Sequence, residues 1–109
     1  MDLSGYRSMW VIAMFDLPVD TAEGRREYTR FRKALIRNGF SMMQYSVYIR
    51  HTSSRENAAV HIERVQAAVP PQGEIRVLTV TDAQFARMRV FWGKERREPE
   101  EPPTQLGLF

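Results

Sequence analysis

The amino-acid sequence contains no cysteine, which excludes disulfide bonds and metal sites built from thiolates. It has no apolar run long enough to cross a bilayer and no secretory signal pattern, so we expect a cytoplasmic protein with no membrane partner. No segment repeats along the chain. With 109 residues, 43% of them hydrophobic, the chain can fill one modest core, and domains of this size often dimerise.

One stretch, Met9–Phe15, is apolar throughout and ends in Asp16-Leu17-Pro18. Such a run, with β-branched and aromatic members, predicts a strand buried on both faces, and proline cannot continue its hydrogen-bond ladder. Because chemistry in open α/β sheets gathers beyond the carboxyl ends of strands, Asp16 is the candidate catalytic and metal-binding residue. The alternative for Asp16 is a turn-forming or capping role.

A helix is predicted from about Thr21 to Asn38-Gly39. Asp20 and Glu23 have the spacing of a capping box, and glycine can adopt the left-handed conformation that closes a helix. The apolar positions of this helix follow helical spacing and are expected to be buried: Tyr28, Phe31 and Leu35.

Cations of the same helix form what we call the cationic stripe: Arg25, Arg26, Arg30, Lys33 and Arg37. Four of these residues lie opposite the apolar positions, while Arg25 flanks those positions. The four are Arg26, Arg30, Lys33 and Arg37. The net charge of the chain is only +3, so this concentration is local. A solvated face usually mixes charge signs, and we therefore expect the stripe to bind a polyanion. The alternative is an ordinary solvated face.

The middle of the chain alternates and then becomes helical again. Phe40–Ile49 has period two and is either one long strand or two short strands bent near Gln44-Tyr45-Ser46. Ser53 and Glu56 form a second capping-box pattern. The helix that follows places these apolar residues on one face before Pro70-Pro71-Gln72-Gly73 ends it: Ala58, Ile62, Val65 and Val69.

The last third of the chain predicts a strand at Ile75–Thr81, a helical turn capped by Thr81 or Asp82 with Gln84 in the box position, and a strand at Met88–Trp92. Residues 94–103 form a charged, proline-bearing linker. The end, residues 104–109, is either disordered or a strand that pairs with a partner protomer. In the second case its partner-binding residues are Leu106, Leu108 and Phe109.

The order of elements predicts an α/β (more strictly α+β) fold over residues 1–93. It is a ferredoxin-like βαββαβ sandwich with an additional C-terminal strand. Two helices would cover one face of an antiparallel sheet. Because the chain supplies no third layer for the other face, we expect a homodimer.

Three stretches match a known family in order along residues 9–93. They are Met14-Phe15-Asp16-Leu17-Pro18, the segment from Gly39-Phe40 to Met43-Gln44-Tyr45-Ser46-Val47-Tyr48, and Leu78-Thr79-Val80-Thr81-Asp82. With these motifs the chain resembles the CRISPR-associated protein two family, the small subunit of the spacer-acquisition machinery.

The resemblance implies a ferredoxin-like homodimer whose C-terminal strand can join the partner's sheet, and it implies that Asp16 corresponds to the family's strand-end aspartate. Many members carry tyrosine where this chain has Phe15, so a phenol hydroxyl is missing here. A twofold axis near Asp16 would bring two carboxylates together around Mg²⁺, or another divalent cation such as Mn²⁺, and form a phosphodiesterase centre.

Three functions stay open at this point. We favour a scaffold that sits between pairs of the CRISPR integrase subunit and holds double-stranded prespacer DNA along the cationic stripe. No aromatic residue interleaves the stripe, which argues against base stacking there. The alternatives are a stand-alone metal-dependent endoribonuclease acting on RNA and a small-molecule regulatory dimer. His51 and His61 are expected to be ordinary surface or boundary histidines.

Overall fold

The computed structural model describes residues 7–95. Most of the predicted linker, and the predicted partner-binding residues of the tail, therefore lie outside the described residues. Seven elements follow one another along the described chain: β1 (Met9–Asp16), α1 (Ala22–Arg37), β2 (Ser41–Gln44), β3 (Val47–Thr52), α2 (Arg55–Ala67), β4 (Glu74–Thr81) and α3 (Asp82–Ala86). Within this range no helix is both long and apolar enough to span a membrane.

The four strands form one antiparallel sheet in the order β2-β3-β1-β4, so β1 is hydrogen-bonded on both edges. This order confirms the predicted ferredoxin-like arrangement. The segment at Phe40–Ile49 is resolved as two strands, β2 and β3, joined by a tight turn at Tyr45-Ser46. Of the two interpretations left open by periodicity, the bent one is correct.

One face of the sheet is buried under α1 and α2. Side chains alternate along a strand, so every second residue of β1 points into this core. Phe31 of α1 is fully buried, Leu35 nearly so, and Tyr28 packs at the border, as predicted. The Phe31 ring meets Phe15 edge to face, with 5.1 Å between ring centroids. The buried residues of this core are Met9, Val11, Ala13, Phe15, Leu17, Phe31, Leu35, Phe40, Tyr48, Ala58 and Val65.

The opposite face of the sheet, which we call the open face, is covered only in part. It carries Trp10, Ile12, Met14 and Asp16 of β1, together with the residues that pair with them in register: Val47, Ile49, His51, Glu74, Arg76, Leu78 and Val80. Helix α3 covers one end, where Phe85 stacks on Trp10 with 4.1 Å between ring centroids. Leu78, midway along the edge strand β4, remains 51% exposed. A single chain therefore leaves apolar sheet surface in water.

The first two helices are capped one residue later than predicted. Thr21 and Ser54, not Asp20 and Ser53, accept the capping hydrogen bonds from backbone amides three residues ahead. Both cap residues have extended backbone dihedral angles, and two neighbouring residues of cap-forming type were available at each start. The predicted box at Thr81 is confirmed.

The predicted strand at Met88–Trp92 is wrong for the single chain. The sheet of residues 7–95 does not include this segment, which passes beside Met43 of β2. Val90 and Phe91 are 63% and 82% exposed. Strand propensity is satisfied only where the backbone can pair with another strand, and this segment pairs with no strand of the sheet in the single chain. The predicted place of Val69 on the apolar face of this helix is also wrong, because α2 ends at Ala67, and Val69 is 45% exposed.

A buried polar network joins the carboxyl end of α1 to α2. The Asn38 side-chain oxygen accepts hydrogen bonds from His61 Nδ1 at 2.7 Å and Arg64 Nη1 at 3.3 Å, and the Asn38 carbonyl accepts one from Arg50 Nη1 at 2.7 Å. Gly39 has φ +83°, and a Cβ at this position would collide with the Arg50 guanidinium. His61 is only 6% exposed, so the prediction of a surface or boundary histidine is wrong for it.

This environment makes stability depend on pH through His61. Burial, with Arg50 and Arg64 adding repulsion, lowers the pKa of His61 from 6.5. Above that value the histidine is neutral in both states and its contribution to stability is complete. As the pH falls, the unfolded chain binds the proton first, so stability is lost down to the folded pKa.

We expect His61→Gln to reduce the drop in unfolding free energy between about pH 7.5 and about pH 5, because the group that takes up a proton on unfolding is gone. Urea denaturation at both pH values measures this. A drop of equal size in the variant and the parent protein would contradict the assignment.

Candidate functional site

Asp16 is the last residue of β1 and lies at the border of the open face. It is exposed, and its carboxylate makes no hydrogen bond or ion pair with any other residue in the range 7–95. Helix α1 is capped by Thr21, so the capping alternative does not apply to Asp16. The strand-end position predicted for this carboxylate is confirmed.

A groove of about 290 Å³ opens beside this carboxylate, and β4 supplies one of its walls. Glu74 pairs directly with Asp16 across the two strands, which places both side chains on the same face. Its Oε1 accepts a hydrogen bond from Arg76 Nε at 3.1 Å. Gly73, with φ +100°, lets the chain enter β4 close to the end of β1. A Cβ at this position would lie 2.8 Å from the Asp16 carbonyl oxygen.

These two carboxylates limit the kind of metal site that one chain can form. No group of three or more metal-ligating side chains occurs among the described residues. Mg²⁺ does not need one, since it is usually held by one or two carboxylates while water and substrate phosphate oxygens complete its octahedron. Asp16 fits this pattern, with Glu74 beside it as a second oxygen donor. A cage made of protein ligands alone does not fit.

The β2–β3 turn forms another wall of the groove. Ser46 has φ 61°, and its carbonyl accepts a hydrogen bond from the Phe15 backbone amide at 3.0 Å. The Ser46 hydroxyl is 3.0 Å from the Tyr28 hydroxyl. Burial, the largest of several causes, raises the pKa of Tyr28, so this hydroxyl stays protonated at neutral pH, and either of the two hydroxyls can be the donor. Tyr45 stacks on the Tyr28 ring, with 6.1 Å between centroids.

Phe15, for which the resemblance implies tyrosine in many family members, projects to the side of the sheet opposite the Asp16 carboxylate. Its ring is 7% exposed and packs against Tyr28, Phe31 and Tyr48 on the helix side of the sheet. Asp16 projects to the other side, because neighbouring residues of a strand alternate. The missing phenol hydroxyl therefore removes nothing from the open face beside Asp16.

The cationic stripe lies on the outer surface of α1, and all five of its residues are exposed. Arg30 is partly engaged, with an ion pair to Glu27 at 2.8 Å, and Arg25 donates a hydrogen bond to the Val19 carbonyl. The other three residues make no ion pair within the described range. Because the stripe is on the helix layer and Asp16 on the open face, the structure separates the two predicted sites.

His51 does not complete the Asp16 site. It pairs with Trp10 at the far end of β1, roughly 20 Å from Asp16 at the rise of a β-strand. Its Nε2 is 3.1 Å from Asp82 Oδ1, and the side chain is exposed, as predicted. The residues that do join Asp16 were missed by sequence reasoning: Tyr45, Ser46, Glu74 and Arg76. Only the possible bend near Gln44-Tyr45-Ser46 hinted at the first two.

Comparisons with known proteins agree with the resemblance seen in the motifs. The family model described as CRISPR associated protein Cas2 matches residues 9–88. A protein of Parvibaculum lavamentivorans named CRISPR-associated endoribonuclease Cas2 is 59% identical over 101 residues, covering 93% of this chain and all of the relative. A protein of the same name from Flavobacterium psychrophilum is 47% identical, covering 98% and 93% of the two chains.

A solved structure described as a crystal structure of Cas2 superposes with a TM-score of 0.54 and 19% identity. The match covers 85% of this chain and 98% of that one. At this identity the likeness bears on the fold alone, and it supports the ferredoxin-like arrangement.

Proposed function

The chain belongs to the Cas2 family of CRISPR-associated proteins, and from this premise we propose that it is a homodimeric scaffold that binds double-stranded DNA in a spacer-integration complex. The observation that carries the proposal is the division of one small domain into two free surfaces. The open face is apolar and incompletely covered, while the cationic stripe lies on the other layer. Pairing the first surface leaves the second available to DNA.

A second copy of the chain is the occupant we propose for the open face. Leu78 is half exposed there, and the segment after α3 carries further exposed apolar side chains. Strand β4 is an edge of the sheet, so a strand from the partner can pair with it. The segment Met88–Trp92 is one candidate for that strand, and the tail with Leu106, Leu108 and Phe109 is another.

We expect Leu78→Glu to weaken the dimer strongly. Burial of a leucine contributes about 1.5–3 kcal/mol and symmetry removes it twice, so the dissociation constant should rise by roughly 10²-fold or more. Sedimentation equilibrium measures this. Val60→Glu, a change at a comparably exposed residue of α2, is the control and should leave the dimer intact. A parent protein that stays monomeric, or a dimer indifferent to Leu78→Glu, would contradict the proposal.

DNA would meet the cationic stripe through its phosphates. Arginine and lysine on a rigid helix can follow a duplex backbone without reading bases, and twofold symmetry supplies a second copy of the stripe. Binding of this kind releases counterions and therefore weakens steeply as salt rises. In the proposed assembly the integrase subunit is the protein partner and a prespacer duplex is the nucleic-acid partner.

Replacing Arg26 and Lys33 with alanine should reduce the salt dependence of duplex binding, since the slope of log K against log salt changes by about 0.9 for each phosphate that the protein no longer neutralises. Titration of a labelled duplex at several salt concentrations measures the slope. A double variant with the same change in charge outside α1, Arg7→Ala with Arg55→Ala, is the control and should keep the parent slope. An unchanged slope in the Arg26 and Lys33 variant would place the DNA elsewhere.

Metal-dependent cleavage of phosphodiester bonds is the second function we propose, and the free carboxylate of Asp16 favours it. The two relatives described above are named endoribonucleases, so RNA is one expected substrate. A twofold axis near this end of the open face would bring two Asp16 carboxylates together, with Glu74 beside each. Bound Mg²⁺ or Mn²⁺ would activate water and stabilise charge on the phosphate. The chain itself contributes ligand oxygens and an open groove.

Asp16→Asn should lower metal-dependent cleavage of an RNA oligonucleotide by roughly 10²-fold or more, because a catalytic metal supplies several kcal/mol of transition-state stabilisation. Single-turnover assays with and without chelator measure this. Asp20→Asn makes the same chemical change at an exposed residue outside the groove and should retain the parent rate. Equal rates in the Asp16 variant and the parent would remove Asp16 from catalysis.

A further inference from the structure

An aromatic ring lies in solvent beside Asp16, and neither proposed function uses it. Tyr45, at the tip of the β2–β3 turn, is 75% exposed and lines the same groove as Asp16. Exposed aromatic rings next to a phosphate-binding groove are the usual means by which proteins hold unpaired bases. We propose that Tyr45 is a stacking platform for one unpaired nucleobase of the nucleic acid bound at Asp16. The inference rests on the phosphodiester chemistry proposed there.

The ring of Tyr45 is backed on one side by a second tyrosine. The planes of Tyr45 and Tyr28 differ by 20° with 6.1 Å between ring centroids, an offset stack that leaves Tyr45 75% exposed. Tyr28 is fixed in turn by its hydroxyl contact with Ser46 and by its ring contact with Phe15, 5.6 Å between centroids. A ring held in this way can stack on a base without first losing much rotational freedom.

The backbone of the turn fixes the position of this ring relative to Asp16. Ser46 adopts a left-handed conformation that is disfavoured for a residue with a side chain. The hydrogen bond from the Phe15 amide to the Ser46 carbonyl holds the turn against the residue that precedes Asp16. Two independent interactions of Ser46, through its carbonyl and its hydroxyl, therefore keep Tyr45 at the border of the groove.

Cations surround the stacked tyrosines. Arg25 and Arg32 lie three residues before and four residues after Tyr28, so they are its neighbours on the surface of α1. Arg76 lines the groove from the other side. Arg76 is paired with Glu74, however, and the groove also holds the Asp16 carboxylate. Arg25 and Arg32 are therefore the cations available to phosphates beside a base stacked on Tyr45. The exposed ring suits an unpaired base, whereas the cationic stripe, which carries no aromatic residue, suits a duplex.

The experiment uses full-length protein carrying Asp16→Asn, so that the probe is not consumed. The probe is a single-stranded oligonucleotide containing 2-aminopurine, a base whose fluorescence is quenched when it stacks. We expect quenching on binding. Adding Tyr45→Leu should weaken binding by roughly 5- to 150-fold, the range found when stacking aromatics are removed, and should abolish most of the quenching. Tyr45→Phe, which keeps the ring, should retain the quenching.

Met42→Ala is the matched control, because Met42 is 53% exposed on the same hairpin but does not line the groove. It should bind the probe as the parent does. Equal affinity and equal quenching with Tyr45→Leu would overturn the inference. So would an effect of Tyr45→Leu on dimer dissociation alone, since that would make Tyr45 an interface residue. Because stacking is measured in the Asp16→Asn variant, its outcome does not depend on cleavage. The cleavage assay described under the proposed function tests the phosphodiester chemistry separately.

Discussion

Strand β1 is hydrogen-bonded on both edges, and this pairing determines where the functional side chains lie. Its residues alternate between two surfaces, so Phe15 is in the core while Asp16 stands on the open face. A slip of one residue in register would exchange the two surfaces and bury the carboxylate. The apolar core on the helix side prevents such a slip. The acid thus borders the face of the sheet that a single chain covers only in part.

The groove beside Asp16 owes its shape to backbone conformations, and its lining contains two carboxylates, those of Asp16 and Glu74. Gly73 and Ser46 both have positive φ angles, and they bring the start of β4 and the β2–β3 turn to the end of β1. The result is a shallow site with one free carboxylate, a second one in an ion pair and an aromatic ring. A site with so few protein ligands leaves room for phosphate oxygens and water around a metal ion.

Helix α1 carries the opposite kind of surface, and its attachment explains why that surface is rigid. Asn38 receives hydrogen bonds from His61 and Arg64 of α2, and Arg50 of β3 crosses above Gly39 to reach the Asn38 carbonyl. Both ends of the helix are thereby held, since Thr21 caps the other. A helix that is already fixed does not have to be ordered on binding, so only the side chains of the cationic stripe would lose conformational freedom on a phosphate backbone. The open face and the cationic stripe are thus separate surfaces of one small domain, which is what the proposed dimer and the proposed DNA contact require.

The sequence by itself determined the order of the elements, the buried stripe of α1 and the place of Asp16 at a strand end, because these follow from local periodicity and turn chemistry. It predicted β1 to be buried on both faces, whereas the single chain covers the second face of this strand only in part. It placed two helix starts only to within one residue, since cap-forming residues are adjacent there. It also predicted a strand at Met88–Trp92 that the single chain does not form. Only the tertiary structure decided that Glu74 lies opposite Asp16, that Tyr45 reaches the same groove and that His61 is buried. Each of these depends on packing between segments far apart in the chain, which local periodicity does not specify.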